Sequence, residues 1–337
     1  MLRVAVIGAG SMGRNHARVL RTTKDVEIVA IVDPEVERAK ELVRIYGGKA
    51  FGCVDDALMN AVDAAVVAVP THLHYQVAAP LLRAGVHLLV EKPLASTVEE
   101  AEALRRLAEQ NRCVLAVGHI ERFNPAVRLL AERLAEGRIG RVFEVRARRL
   151  GPFPVRIRDV GVVLDLATHD LDIFRFLLRS EVMRVFAEGL GALCTQREDS
   201  VTALLRFESG AIGVIEASWI TPTKVRELIV VGEGGMFRVD YLTQDLFFFE
   251  NAEAAPIGWA EMSVFRGVSE GAMTRLLVHK VEPLRAEMDG FLKAVRTGVD
   301  DQIVPAEDGI AALRLAWAII EAMQRGEAVM LRPPSQK

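Results

Sequence analysis

Cysteine is scarce in this chain. Cys53, Cys113 and Cys194 are spread through 337 residues, with no C-x-x-C spacing and no histidine pair nearby. Their odd number and wide separation exclude a disulfide framework and a cysteine zinc site. They read as core thiols of a protein in a reducing compartment, which points to the cytoplasm. Excess charge of one sign is lacking too: 42 Lys and Arg stand against 45 Asp and Glu, a net charge of −3. Nothing in that balance suggests nucleic acid or a membrane surface as a partner. No apolar run reaches the roughly 20 residues of a membrane span. No cleavable signal is expected, because Met1-Leu2-Arg3 leads straight into a strand. Internal repeats, low-complexity stretches and long charged tails are also missing. The remainder is 51% hydrophobic and 26% charged, the make-up of a globular chain long enough for two domains.

The most informative stretch comes first. Leu2 to Ile7 is a near-continuous apolar run, as expected of a parallel strand covered on both faces. Gly8-Ala9-Gly10-Ser11-Met12-Gly13 follows at once, residues 11–20 read as a helix, and residues 27–32 form a second buried strand ending on Asp33. Gly8 permits a tight turn, Gly10 lets the backbone approach a pyrophosphate, and Gly13 lets the helix pack close to the strand. The helix start offers free N–H groups and a positive dipole end to that anion. Asp33 is placed to accept the ribose hydroxyls of an adenosine and to repel a 2′-phosphate, which favours NAD over NADP. Arg38 keeps a route open to a phosphate, and Asp33-Pro34 also fits a plain helix cap with a following proline.

The βα rhythm then continues. Helices are expected over residues 34–46, 75–84 and 97–109, and strands over 49–52, 64–69, 86–90 and 113–117. Two strands in succession end in polar groups, Pro70-Thr71-His72-Leu73-His74 and Glu91-Lys92-Pro93-Leu94. The carboxyl edge of a parallel sheet is where such folds bind ligands. After a helix over residues 126–136 the alternation changes to period two. Strands are expected over 141–150, 182–189, 201–208, 211–219, 225–231 and 236–240, with a hairpin at Glu208-Ser209-Gly210. Long helices fall at 160–178, Pro283–Thr297 and Ala306–Arg325. Residues 251–271 read as a loop. The fold class is therefore α/β plus α+β: a doubly wound Rossmann domain over residues 1–120, then residues 121–337 with a large, mainly antiparallel open sheet. The last helices are candidates to pack back on the first domain.

Four side chains carry the candidate chemistry. Asp165, His169 and Asp172 are four and three residues apart, so a regular helix puts them on one face. A carboxylate one turn from an imidazole orients it and stabilises its protonated form. That pair suits removal of a hydroxyl proton while hydride leaves the same carbon; a solvated acidic stripe has the same spacing. Lys92, at the strand end, suits a hydrogen bond to the reacting oxygen, or an ordinary surface pair with Glu91. His72, His74 and His119 are candidates to line the cofactor or to be satisfied structural histidines. Arg122 and Asn124 open a helix within expected reach of nicotinamide or substrate. Arg146, Arg148, Arg149, Arg156 and Arg158 form a basic run, either a solvated strand face or, through Arg146 and Arg148, a contact for an anionic substrate. No carboxylate or histidine spacing makes a metal site.

Four motifs in order, Gly8 to Gly13, Glu91-Lys92-Pro93, Gly118-His119 with Arg122-Phe123-Asn124-Pro125, and Leu164-Asp165 through His169-Asp170, resemble the Gfo/Idh/MocA oxidoreductases across essentially the whole chain. The resemblance implies a Rossmann domain followed by an α+β domain whose open sheet forms a homodimer or homotetramer interface. It implies that Lys92, Asp165 and His169 are the catalytic set, with His169 as general base, Asp165 its orienting partner and Lys92 positioning the hydroxyl. Pro70, Thr71, His74, Glu91 and Lys92 resemble the cofactor-contacting segments. Gly118 to Ala126 is similar to members that oxidise the 3-hydroxyl of UDP-N-acetylglucosamine-type sugars, and a diphosphate suits the arginines near Arg148. The alternatives are a free polyol, inositol or dihydrodiol dehydrogenase and, from another class, an NAD(P)-sensing regulator without catalysis.

Overall fold

The computed structural model describes residues 1–58, 61–154, 160–193, 197–252, 271–299 and 301–331. Its chain divides into two compact units. The first gathers Met1–Phe123, Pro154–Asp172 and Val281–Ala318, and the second Asn124–Phe153, Ile173–Lys280 and Ile319–Lys337.

The first unit is built on β1 (Leu2–Ile7), β2 (Val26–Val32), β3 (Lys49–Phe51), β4 (Ala64–Val67), β5 (His87–Glu91) and β6 (Leu115–Gly118). All pair in parallel, in the order β3-β2-β1-β4-β5-β6. Their apolar runs follow from burial on both faces, since β4 is buried at every position and Val4, Ala5 and Val6 are fully buried. Crossovers are made by α1 (Ser11–Arg21), α2 (Val36–Tyr46), α3 (Val54–Leu58), α4 (His74–Arg83) and α5 (Val98–Asn111). Strand order reverses between β1 and β4, and the crevice at that reversal is where such sheets take ligands. Thr97 caps α5: its hydroxyl accepts the Glu100 N–H at 3.2 Å, and the Glu100 carboxylate accepts the Thr97 N–H at 3.3 Å. Such a cap is worth about 1 kcal/mol. Farther along the chain, α8 (Pro283–Thr297) lays Leu284, Met288, Phe291 and Leu292 into the same core as Val4, Val6 and Leu20.

The second unit carries β7 (Val142–Pro152), β8 (Val182–Leu190), β9 (Ser200–Phe207), β10 (Ile212–Ser218), β11 (Ile220–Gly232), β12 (Gly235–Asp240), β13 (Asp245–Glu250), β14 (Met273–Leu276) and β15 (Val329–Met330). They form one sheet in the order β14-β13-β12-β11-β7-β10-β9-β8-β15, antiparallel except between β7 and β10. Val201, Ala203, Leu205 and Phe207 of β9 turn inward while Thr202, Leu204 and Arg206 turn out. The inner face is packed by α6 (Pro125–Ala135) and by α7 (Thr168–Leu178), whose Phe174 meets Phe207 at 6.5 Å. The helix α9 (Ala306–Arg325) contributes to both units.

Two expectations change. The helix foreseen over 160–178 is not uniform, because residues Val163–Ala167 form a π-helical turn before α7 begins. The cysteines are not a core set: Cys53 is exposed and Cys113 half-buried, and Cys194 lies outside the described residues. Residues 253–270, most of the segment read as a loop, also lie outside them. Among the described residues no helix is long and apolar enough to cross a membrane, and no group of three His, Cys, Asp or Glu side chains is gathered to hold a metal ion.

Candidate active site

Backbone contacts in the glycine loop after β1 leave no room for a side chain at Gly8 or Gly13. Gly8 has φ +101°, and a Cβ there would lie 2.4 Å from the Ala68 carbonyl oxygen; a Cβ on Gly13 would lie 1.8 Å from that of Gly8. At Gly10 a Cβ would meet nothing within 4 Å, so this position fronts open space. The helix α1 starts from Gly10 with no side-chain cap and no acid in its first turn. Its first N–H groups, including those of Ser11, Met12 and Gly13, have no acceptor within the helix. An anion is the natural partner for such an end. Asp33 is buried: Oδ2 accepts the Ala9 N–H at 2.9 Å and Oδ1 the Glu35 N–H at 2.9 Å. It therefore braces the loop and caps the next turn, and each oxygen keeps a lone pair for a further donor. These features fit a dinucleotide: pyrophosphate against the uncapped helix end, ribose at Asp33.

The neighbouring strands end at the same edge of the sheet. Pro70 and Thr71 enter a 3₁₀ turn after β4. His74 behind it is fully buried, with Nδ1 2.8 Å from the Pro93 carbonyl and Nε2 3.0 Å from that of Val69. Its ring thus faces backbone and ties two strand ends together, a bracing place rather than the cofactor contact expected. Burial pushes its pKa down, against the pull of those carbonyls. Glu91 does not pair with Lys92. Its Oε1 lies 2.7 Å from Nε2 of His16 on α1. Burial raises the Glu91 pKa, but His16, Lys92 and His74 outweigh it and hold the carboxyl below the ordinary range.

Lys92, just past β5 and before a cis Pro93, reaches Asp165. Its Nζ donates to the Asp165 carboxylate at 2.9 Å and to the Asp165 carbonyl at 2.6 Å. Between Gly161 and Phe174 only Asp165 and His169 are not buried. The ring of His169 meets His119 edge to face, with centroids 6.3 Å apart. His119 is 2% exposed, and burial pushes its pKa down. The cluster thus presents an ammonium, a carboxylate and an imidazole at one partly open place, enclosed by buried groups.

Other expected residues are committed elsewhere. Asp172, one turn past His169 on α7, is fully buried. It takes a bidentate pair from Arg122, Nε at 2.6 Å and Nη2 at 2.5 Å, while Nη1 of Arg122 meets Asp308 at 2.8 Å. This ion-paired arginine is a buried clamp, not an open substrate contact. Asn124 caps α6 through Oδ1, which accepts the Ala126 N–H at 3.1 Å, and its amide donates to the Tyr241 carbonyl at 3.2 Å. Those bonds supply its structural role in place of a nicotinamide contact. Arg148 and Arg146 do point the same way on β7, but Arg148 lies 3.1 Å from Glu216 with Glu227 at 3.9 Å, and Arg146 lies 2.8 Å from Glu144. Their field is largely compensated. Arg156 and Arg158 lie outside the described residues.

Sequence reasoning missed His16, Asp308 and Glu287 of α8. Their signal is a charged or titratable residue at a core register: His16 stands one turn before Leu20, and Glu287 lies beside Leu284, Met288 and Phe291.

A Rossmann sheet with a glycine loop, an acid after β2 and a Lys–Asp–His cluster at its carboxyl edge defines a dinucleotide-dependent oxidoreductase. Residues 2–119 match the oxidoreductase family with an NAD-binding Rossmann fold, and residues 127–238 match the GFO/IDH/MocA C-terminal domain. The chain is 31% identical over 331 residues to UDP-N-acetylglucosamine 3-dehydrogenase of Acidithiobacillus ferrooxidans, covering 98% of this chain and 99% of that one. A solved structure of that enzyme superposes with a TM-score of 0.85 at 30% identity, over 96% and 98% of the two chains. Myo-inositol 2-dehydrogenase of Thermotoga maritima is 27% identical over 98% of both chains. The chain belongs to the Gfo/Idh/MocA oxidoreductase family, and its dinucleotide is NAD.

Proposed function

We propose that this enzyme is an NAD-dependent dehydrogenase that oxidises the 3-hydroxyl of a UDP-N-acetylhexosamine to the ketone. The observation that carries the catalytic part is Lys92 Nζ held 2.9 Å from Asp165, with His169 four residues on in the same partly open stretch. Identity of 31% over nearly the full length of a UDP-N-acetylglucosamine 3-dehydrogenase supports the substrate class. In the reaction the O–H and C–H bonds of one carbinol break and a C=O bond forms. NAD, when bound, takes the hydride. His169 takes the proton as general base. Lys92 donates a hydrogen bond to the reacting oxygen and holds it as negative charge develops there. Asp165 fixes the Lys92 ammonium and, across one turn, favours the protonated imidazole of His169. Gly8, Gly10, Ser11, Met12 and Gly13 hold the pyrophosphate, Asp33 the adenosine ribose, and Pro70, Thr71, Glu91 and Lys92 frame the nicotinamide end.

A free inositol or other polyol is the second reading, favoured by the full-length likeness to myo-inositol 2-dehydrogenase. The presence of Lys92, Asp165 and His169 together speaks against a regulator that only senses the cofactor. We further propose a cytoplasmic homodimer or homotetramer joined through the open sheet. Leu204, 48% exposed, and Ile212, 36% exposed, give that face apolar side chains for a second copy to cover. The test is NADH absorbance with purified protein, NAD and one candidate substrate at a time. NADH formed with UDP-N-acetylglucosamine and not with myo-inositol supports the first reading; formation with myo-inositol alone overturns it.

A further inference from the structure

The core of the first unit contains a carboxyl that the mechanism above does not use. Glu287 of α8 is 2% exposed, and neither of its oxygens has a hydrogen-bond partner among the described residues. The charged group that acts on it is Glu91. Glu91 already accepts from His16 of α1 and stands next to Lys92 in the chain. An ionised Glu287 would therefore be a second buried negative charge beside the first, with no donor set against it. As a neutral acid it adds no such charge. Burial and the Glu91 carboxylate both push its pKa well above the ordinary range.

We propose that Glu287 is a positioning residue that must remain a neutral carboxylic acid, leaving Glu91 bound to His16 and so locking the glycine-loop helix to the Lys92 turn. The proposal rests on the reading of that loop and turn as the NAD site. When Glu287 ionises, repulsion falls on Glu91, whose side chain joins α1 to the end of β5 through His16. The Glu91–His16 link loosens, and with it the dinucleotide site.

The sign of the pH effect follows. The folded chain keeps a proton on Glu287 that the unfolded chain releases near the ordinary value of 4.5. Stability from this group is fully present below that value. It declines as pH rises, by about tenfold in the folding equilibrium per pH unit, until the folded state also releases the proton. Glutamine is neutral at every pH and has no such slope.

The experiment compares wild type and Glu287→Gln by denaturant unfolding and by NAD affinity from protein fluorescence, between about pH 5 and about pH 9, with no substrate present. Expected is a stability ratio of Gln variant to wild type that climbs toward tenfold per pH unit. Wild-type NAD affinity should fall at the alkaline end while that of the variant holds. Parallel curves would overturn the proposal, as would a variant weakened equally at every pH. Should Glu287→Gln fail to fold, Glu287→Leu is held to the same slope comparison. Lys92→Ala serves as a control: it loses turnover yet keeps the wild-type pH slope, so failure of the catalytic reading is separable from failure of this one.

Discussion

Two neighbouring strands of the first unit, β5 and β6, each lead into a cation held by carboxylates, and the two arrangements differ in burial. Arg122, after β6, lies between Asp172 and Asp308 with side-chain exposures of 10% for the arginine and 1% for Asp172. Lys92, after β5, meets Asp165 with about equal exposure on both sides, 15% and 16%. Every nitrogen of the Arg122 guanidinium has a carboxylate oxygen within 2.8 Å. Among the described residues the Lys92 ammonium has two acceptors, both from Asp165. With three N–H donors, it keeps one for a third partner. The buried clamp therefore suits stability, and the less buried Lys92–Asp165 pair suits the proposed chemistry. Charge pairing alone does not mark a site; a donor left over at an accessible place does.

The comparison breaks first at the clamp. Arg122→Ala leaves Asp172 buried without its main partner, and the expected loss is about 3–5 kcal/mol of folding stability. Urea unfolding measures it; a loss below about 1 kcal/mol would mean the clamp is not structural. A smaller effect is expected at Asp33. Asp33→Ser removes an acceptor for the Ala9 N–H and the proposed partner of the ribose hydroxyls, so NAD affinity should fall about tenfold or more. The gap to NADP should narrow, and cofactor titration checks both; an unchanged preference would remove Asp33 from that role. The smallest effect belongs to the open sheet. Arg148→Ala breaks half-exposed pairs with Glu216 and Glu227 and should change stability by under about 1 kcal/mol. With its charge compensated, KM should move equally little for a UDP-sugar and for a neutral sugar. A selective rise for the UDP-sugar would show that Arg148 meets the diphosphate.

The parallel sheet was legible because strands buried on both faces read as unbroken apolar runs, and each is punctuated by glycine or polar residues at the binding edge. The second sheet was legible where one face is solvated, as in the inward and outward alternation of β9. It was not legible at β13, where Leu246 to Phe249 is apolar on both parities, nor at the short edge strands β14 and β15. The site divides the same way. Lys92 and the glycine loop are local in sequence, tied to the ends of recognisable strands. The partners of Arg122 lie 50 and 186 residues away, and nothing in local spacing announces them. Helical spacing put Asp172 one turn past His169 but did not show that its carboxylate is taken by Arg122. Asn124 gave a true sign of a helix start, and that cap is what its side chain does.

The most direct measurement is a comparison of Lys92→Ala with wild type in two assays on the same protein: NAD binding by calorimetry and NADH formation with UDP-N-acetylglucosamine. The account predicts that NAD still binds and the fold stays intact, while turnover falls by about a hundredfold or more. Turnover within about twofold of wild type would contradict it, because it would leave the ammonium at the end of β5 with no part in the chemistry.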